Sequence, residues 1–227
     1  MLAISFVSCK KEENGKPKVI YKKTEAKTQP AADTAQIEIA DLPIQISGTD
    51  YLIHPVGQYR VYDGNKRTGY TYERGSFAVS NYGEFEITGF LQNIKVQQSA
   101  SDSIRAIFDK PVLIQTATFL KSFADKSKQQ IFVYLLSDMD TNQDGGLDAS
   151  DIRTLYISDI SGSRLMKISP EYQELIDWNF IESKNRLYFR TIEDTNKSGD
   201  FDKNDVLHYN YIDLMTPDWK VIEYKPV

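Results

Sequence analysis

The sequence has few of the residues that identify common functional classes. Cys9 is the only cysteine among 227 residues, so no disulfide bond can form within the chain. His54 and His208 are the only histidines, and neither lies in a zinc-binding or nucleophile motif. Lys and Arg (27) are outnumbered by Asp and Glu (32), which gives a formal net charge of −5 and argues against a nucleic-acid-binding surface.

Two twelve-residue stretches rich in Asp, Asn and Gly are present: DTNQDGGLDASD at residues 140–151 and DTNKSGDFDKND at residues 194–205. Both place an oxygen-bearing side chain at positions 1, 3, 5, 9 and 12 and a glycine at position 6, which is the spacing of a calcium-binding loop. A hard cation needs about six to eight oxygens, and a short chain supplies them when alternate side chains converge. The glycine provides the positive φ that lets the chain reverse.

These loops resemble those of the EF-hand family and its dockerin-like relatives. The resemblance implies two calcium ions as cofactors, held at the matching positions, with the backbone carbonyl as the ligand at position 7. In the first loop the implied ligands are Asp140, Asn142, Asp144, Gly146, Asp148 and Asp151. In the second they are Asp194, Asn196, Ser198, Asp200, Asp202 and Asp205. The alternative is a pair of polar turns that bind nothing, since Asp, Asn and Gly dominate turns.

The loops depart from the family pattern at two positions. Position 12 is Asp in both, where the family usually has the longer Glu that closes the site in a bidentate manner. Ser198 replaces the usual Asp or Asn at position 5 of the second loop, and Lys197 and Lys203 offset part of its negative charge. We therefore expect the second site to be the weaker.

The segments on either side of both loops are rich in aromatic and β-branched residues and are predicted to be strands. They are residues 131–138 and 154–160 around the first loop and residues 186–192 and 206–214 around the second. A loop between two strands fixes a connection, whereas the helices of a calmodulin-like switch open a groove. We therefore expect the calcium ions to be structural.

The chain begins with a short apolar run, MLAISFVSC, that ends at Cys9. Residues 1–9 resemble the end of a bacterial lipoprotein signal, in which the cysteine is lipidated, and KKEEN at residues 10–14 resembles the export signal of surface lipoproteins of Bacteroidota. This resemblance implies a protein anchored by lipid to the outer membrane or cell surface. The alternative is a buried strand with an incidental cysteine. The run is too short to span a bilayer and no basic segment precedes it, which leaves open a start upstream of Met1.

Residues 10–40 are rich in Lys, Glu, Thr, Ala, Gln and Pro. Such a segment buries too little surface to offset the entropy of ordering, and we predict a disordered tether. Residues 41–227 are long enough for a single well-buried domain. The chain has 14 Tyr and 11 Phe, and its apolar runs are short and closely punctuated, which predicts an all-β domain.

The second half of the chain contains an internal repeat. The two loops lie 54 residues apart. Residues 93–120 align with residues 154–181 when an insertion of about seven residues is allowed. Each unit has four predicted antiparallel strands: residues 93–98, 104–108, 112–120 and 131–138 in the first, and residues 154–160, 164–169, 174–181 and 186–192 in the second.

This four-strand repeat resembles the blades of β-propellers, especially those of the Tol system and other WD-like blades. The resemblance covers residues 93–224 and implies antiparallel four-strand repeats in a small or incomplete propeller. Two units and the start of a third do not close a ring, so residues 50–92 would have to supply at least one more. An antiparallel meander folded into a β-sandwich or barrel is the alternative.

Catalytic motifs are scarce. We predict His208 to be a packed or cross-strand residue and His54, which precedes Pro55, to end a strand. Trp178 and Trp219 could form a stacking platform for a sugar, although a place in the core is the commoner role of such side chains. A carboxylate pair for glycoside hydrolysis would meet only in the folded protein, and the dense acids of the sequence already belong to the two loops.

Two functions from different classes agree with these features. The first is a calcium-stabilised envelope lipoprotein, bound to the membrane through Cys9, that acts as a non-catalytic binding or scaffold subunit for a protein or glycan partner. The anchor signal, the tether and the lack of a catalytic motif favour it. The alternative is a calcium-dependent hydrolase of extracellular polymers, which would need a deep pocket with two carboxylates about 5 to 9.5 Å apart.

Overall fold

The computed structural model describes residues 16–22, 36–60 and 78–227. Within these ranges the chain forms fifteen β-strands, one α-helix and one 3-10 helix. In chain order the strands are β1 (Gln36–Ala40), β2 (Ile44–Gln45), β3 (Tyr51–Arg60), β4 (Ser80–Tyr82), β5 (Glu86–Leu91), β6 (Asn93–Gln98), β7 (Ile104–Ala106), β8 (Leu113–Phe119), β9 (Ile131–Ser137), β10 (Thr154–Asp159), β11 (Met166–Lys167), β12 (Gln173–Ile181), β13 (Arg186–Glu193), β14 (Val206–Asp213) and β15 (Ile222–Glu223). Helix α1 (Lys121–Ser127) lies between β8 and β9, and the 3-10 helix (Glu182–Lys184) lies between β12 and β13.

The strands pair into three antiparallel sheets. The first has the order β1-β3-β6-β7, with β2 also paired to β3. The second has the order β11-β10-β9-β8-β5-β4, and the third has the order β12-β13-β14-β15. The predicted all-β, antiparallel fold is confirmed, and sheets of this size are compatible with propeller blades and with a sandwich.

The second sheet is buried on both faces, because consecutive side chains of a strand point to opposite sides. Phe132 and Leu136 of β9 lie in an apolar cluster with Ile53 of the first sheet. Val133 of the same strand lies in a second cluster with Phe189 of the third sheet. The second sheet is therefore packed between the other two, which explains why β9 is a nearly continuous apolar run and why β10 is buried along most of its length.

The strands predicted beside the acidic loops are confirmed. Residues 131–138, 154–160, 186–192 and 206–214 correspond to β9, β10, β13 and β14. In both cases the two strands are direct neighbours: Leu136 pairs with Thr154 around the first loop, and Glu193 pairs with Val206 around the second. Each acidic loop is therefore the connection of a β-hairpin.

The grouping of the strands differs from the predicted repeat units. The unit predicted over residues 93–138 is divided, because β6 and β7 pair in the first sheet while β8 and β9 pair in the second. Each closed acidic loop also pairs the last strand of one predicted unit with the first strand that follows the loop. The four consecutive strands that pair are β8 to β11 and β12 to β15, with a loop at the centre of each set. The predicted insertion corresponds to the 7-residue helix α1.

The prediction that His54 ends a strand is wrong. His54 lies within β3, where its Nε2 is 3.1 Å from Oε1 of Gln97. The following Pro55 is tolerated because its carbonyl accepts the N–H of Asp41, in the connection between β1 and β2. The N–H and C=O of one residue point to the same side of an antiparallel strand. The N–H that proline lacks therefore faces this connection and costs no bond of the sheet.

Two parts of the segment predicted as a disordered tether belong to the fold. Strand β1 lies in the first sheet, where Ile39 pairs with Gly57, and residues 16–22 contact both acidic loops. For these parts the structure differs from the prediction, because apolar side chains such as Val19 reach buried positions. Cys9 and the rest of the tether lie outside the described residues. Among the described residues, no helix has the length and apolar character needed to cross a membrane.

Candidate metal centres

The first position of each loop is an aspartate whose carboxylate accepts two backbone N–H groups of its own loop. Asp140 accepts the N–H of Asp144 at 3.2 Å and that of Gly145 at 2.9 Å. Asp194 accepts the N–H groups of the same two positions, at 3.1 and 2.7 Å. These bonds close the first half of each loop around its ligand-type side chains.

The other positions of the template repeat the same contacts in both loops. The side-chain oxygens of Asn142 and Asn196, at position 3, accept the N–H of position 5 at 2.9 and 2.7 Å. Asp151 and Asp205, at position 12, accept the N–H of position 9 at 2.9 and 2.7 Å. Because the loops share this network although half of their residues differ, the spacing of the shared residues determines the loop conformation.

The backbone of both loops passes through the left-handed region at two positions. Gln143 and Lys197, at position 4, have φ of 54° and 55°, and Gly145 and Gly199, at position 6, have φ of 102° and 90°. A β-carbon on Gly199 would also lie 2.7 Å from the carbonyl oxygen of Val19. Glycine at position 6 is therefore favoured by the backbone in both loops and by packing in the second.

Asp151 is a fully buried carboxylate at the end of the first loop. Its Oδ1 accepts the N–H of Thr141 at 2.7 Å and lies 3.2 Å from the Thr141 hydroxyl. Burial and the charge of Asp140 raise the pKa of Asp151, against the opposing effect of the N–H groups that it accepts. A bound cation would favour the charged form of this carboxylate.

The second loop holds one carboxylate oxygen that its own chain does not satisfy. Oδ2 of Asp205 accepts the N–H of Asp202, but Oδ1 is buried and has no hydrogen-bond partner among the described residues. A buried polar atom without a partner costs about 1–3 kcal/mol, and contact with a cation would remove that cost. The residues of this loop therefore fit the metal-binding role that the template assigns to them.

The twelve predicted ligands all offer oxygen, which is the donor that calcium prefers. In the part of the chain that the structure describes, no group of three or more Asp, Glu, His or Cys side chains is arranged to hold a metal ion. Seven of the twelve predicted ligands are side-chain carboxylates, and the other five are amide, hydroxyl and backbone oxygens. Two of these already interact in the second loop, where Ser198 Oγ donates to the carbonyl of Asp200 at 3.0 Å. The individual ligand roles stay predictions.

A polar cluster that the sequence did not indicate lies two residues before the first loop. The side chain of Asp138 is 4% exposed and accepts hydrogen bonds from Lys110 (2.7 Å), Tyr156 (2.7 Å) and Lys167 (3.1 Å). Burial opposes ionisation of Asp138, but these contacts outweigh it and lower the pKa of the carboxyl. Its three partners come from three other segments of the chain, so no local pattern could have predicted the cluster.

A cleft of about 1360 Å³ lies beside this cluster and the first loop, and Phe90, Phe108, Lys110, Asp138 and Asp140 are among its lining residues. A hydrolase would need a carboxyl group with a raised pKa as the general acid. Asp138 has a lowered pKa and is held by two lysines. Asp138 therefore does not suit the general-acid role.

Both tryptophans contribute to the core, the commoner of their two predicted roles. Trp219 is 2% exposed, and the guanidinium carbon of Arg164 lies 3.7 Å from the centre of its ring. Trp178 packs, partly buried, against the same apolar cluster. His208 is a cross-strand residue, as predicted: its ring nitrogens lie 2.9 and 3.2 Å from glutamate oxygens on β13 and β15.

Comparison of the sequence with models of known protein families gave no match, and comparison with curated proteins gave none. The functional interpretation therefore depends on the geometry of the two loops and on the patterns in the sequence.

Proposed function

We propose that this protein is a calcium-stabilised envelope lipoprotein that acts as a non-catalytic binding or scaffold subunit. The observation that carries the proposal is the hydrogen-bond network that the two loops share, because it holds oxygen-bearing side chains at the same template positions twice in one chain. One calcium ion in each loop agrees with this network and with the partnerless oxygen of Asp205.

The position of the loops favours a structural role for the ions. Each loop connects two paired strands at the centre of a four-strand set, so it has no helices that could open a groove. An ion that binds the folded loop and not the unfolded chain stabilises the fold, by about 1.4 kcal/mol per site when calcium is about tenfold above Kd. With Cys9 as the only cysteine, calcium would supply the cross-links that disulfides provide in other extracellular proteins.

The anchor part of the proposal rests on the sequence of residues 1–14. The lipid on Cys9 would attach the protein to the outer membrane or to the cell surface. The partner would be a protein or glycan of the envelope, and the acidic balance of the chain disfavours nucleic acid.

Thermal unfolding with and without chelator tests the calcium role. We expect Tm to fall in EDTA and to recover in millimolar calcium, since extracellular loops of this type bind with Kd of about 10⁻⁴–10⁻³ M. Titration calorimetry should show two sites. The double variant Asp140→Ala, Asp194→Ala is the control, and its Tm should no longer respond to calcium. No heat of binding together with the same melting curve in EDTA would exclude the calcium role.

Metabolic labelling with a fatty acid tests the anchor separately. In a bacterial host that processes lipoproteins, the chain should incorporate the label and sediment with membranes. Cys9→Ala should lose both properties because no other thiol can take the lipid. Membrane association that persists without the label would mean that a partner, and not a lipid, holds the protein.

A further inference from the structure

Residues 16–22, which we call the N-terminal strap, lie between the two acidic loops and hydrogen-bond to both. The N–H of Lys18 donates to the carbonyl of Ser150 (3.0 Å), and the N–H of Ile20 donates to the carbonyl of Thr141 (2.7 Å), both in the first loop. Between them, the N–H of Val19 donates to the carbonyl of Gly199 (3.0 Å) in the second loop. Consecutive N–H groups of the strap therefore bind opposite loops, as expected for an extended segment in a groove.

The side chains of the strap match the groove. Val19 points into it and is 2% exposed, whereas its neighbour Ile20 is 42% exposed. Lys18 forms an ion pair of 3.3 Å with Asp200 at the acidic rim of the second loop. The groove thus takes an apolar side chain in its floor and a basic one at its edge.

The strap also binds residues that position predicted calcium ligands. In the first loop, the Thr141 hydroxyl donates to the carbonyl of Lys18 at 2.7 Å, and the Thr141 N–H donates to Asp151 at 2.7 Å. In the second loop, Gly199 accepts the strap through its carbonyl and donates its own N–H to Asp194 at 2.7 Å. In each loop, a single residue separates the strap from a predicted ligand.

We infer that the groove between the loops is a docking site for the chain's own N-terminal strap, and that strap docking and calcium binding at both loops stabilise each other. The coupling rests on the calcium role proposed above, whereas the docking rests on the contacts alone. The coupling free energy between two binding events is the same in both directions. An ion that orders either loop therefore favours docking, and docking raises the calcium affinity of both loops.

Docking would change the length of the connection to the anchor. With the strap in the groove, residues 10–15 connect Cys9 to the docked segment. With the strap released, residues 10–35 connect Cys9 to strand β1. Calcium would therefore hold the acidic loops near the lipid anchor, and loss of calcium would let the domain move further from the membrane.

The test compares Val19→Asp with Ile20→Asp in the full chain. Both variants add one negative charge to the strap, but only the first places it in the buried position. The amide signals of Gly145 and Gly199 in NMR spectra report on the first and second loop separately during a calcium titration. We expect Val19→Asp to weaken calcium binding at both loops by about fivefold or more, and Ile20→Asp to leave both nearly unchanged.

Thr141→Val supplies a second variant in case Val19→Asp does not fold. It removes the hydroxyl that donates to Lys18, and we expect the calcium affinity to fall at both loops. Unchanged affinity, or a loss at one loop only, would overturn the coupling and leave the calcium role intact.

If the wild type shows no calcium response, the proposed function and the coupling both fail. Hydrogen exchange in EDTA then tests docking by itself. Faster exchange of the Gly145 and Gly199 amides in Val19→Asp than in Ile20→Asp supports docking, and equal rates overturn it.

Discussion

Arg153 and Glu174 are joined by two hydrogen bonds, from the backbone N–H and the side-chain Nε of Arg153 to the two carboxylate oxygens of Glu174, each 2.6 Å long. Arg153 lies two residues after the first acidic loop and Glu174 lies on β12, so the pair connects the second sheet to the third. The N–H of Leu175 adds a bond of 3.0 Å to the carbonyl of Arg153. The end of the first loop is thereby fixed to the neighbouring sheet.

Glu174→Ala is expected to lower the free energy of unfolding by about 2 kcal/mol, because the backbone N–H and Nε of Arg153 would lose their acceptor at a position that is 7% exposed. Unfolding in urea measures the change. Asp177→Ala is the matched control on the same strand: Asp177 pairs with Arg190 at the exposed surface, and its loss should cost less than about 1 kcal/mol. Equal losses would contradict a special role of the buried pair.

Asp140→Ala is expected to weaken calcium binding at the first loop about tenfold, or about 1.4 kcal/mol. Asp148→Ala should have a smaller effect, because position 9 often binds calcium through a water molecule. The structure agrees with this order, since Asp140 accepts two N–H groups that close the loop and Asp148 accepts one, from Ser150. Calorimetric titration of the two variants gives the comparison, and equal effects or the reverse order would show that the ligand roles are wrong.

Ser198→Asp is expected to raise the calcium affinity of the second loop about fivefold, because it supplies a carboxylate at position 5, where the first loop has Asp144. Asn204→Asp adds the same charge at position 11 of the same loop, which is not a ligand position. The change in the Gly199 amide signal during titration measures both affinities. If the two variants gained equally, general charge and not coordination would be responsible.

Acid should destabilise the wild type more steeply than Asp159→Asn. Burial disfavours the charged form of Asp159, but hydrogen bonds from Ser163 and Ser161 outweigh burial and lower the pKa of its carboxyl. Such a carboxyl stabilises the fold above its unfolded pKa of about 3.9 and loses that contribution as the pH falls through its folded-state pKa. Above about pH 5, we expect Asp159→Asn to be less stable by about 1 kcal/mol.

The difference between Asp159→Asn and the wild type should shrink as the pH falls from about 4 to about 2, since the wild-type carboxyl becomes protonated there. Urea unfolding at a series of pH values gives this difference. If the difference in the free energy of unfolding stayed constant with pH, the charge of Asp159 would not contribute to the stability of the turn at residues 159–163.

The features that could be predicted from the sequence are local. The strands beside the loops follow from short runs of aromatic and β-branched residues, and β9 through β14 lie close to their predicted bounds. The loop conformation follows from the spacing of shared residues, since Asp140 and Asp194 accept N–H groups four and five positions later in the same short segment. These contacts form within a few residues and need no distant partner.

The features that could not be predicted depend on partners far away in the chain. Asp138 meets Lys110 and Lys167 only when β8, β9 and β11 occupy the same sheet, because Lys110 lies just before β8 and Lys167 lies on β11. The segment around Val19 is polar and has no periodic pattern, which predicts a disordered tether. One buried side chain and three backbone hydrogen bonds hold this segment in the fold, and neither feature can be recognised from its amino-acid composition.

By itself, the sequence determined that the protein is built of antiparallel strands, and it determined where two oxygen-rich loops interrupt them, because alternation and ligand spacing act over a few residues. The tertiary structure decided which strands share a sheet, that the second sheet is packed between the other two, and that the N-terminal strap connects both loops. The physical reason is that burial and long-range hydrogen bonds depend on which segments meet in space, and one segment's own composition does not contain that information.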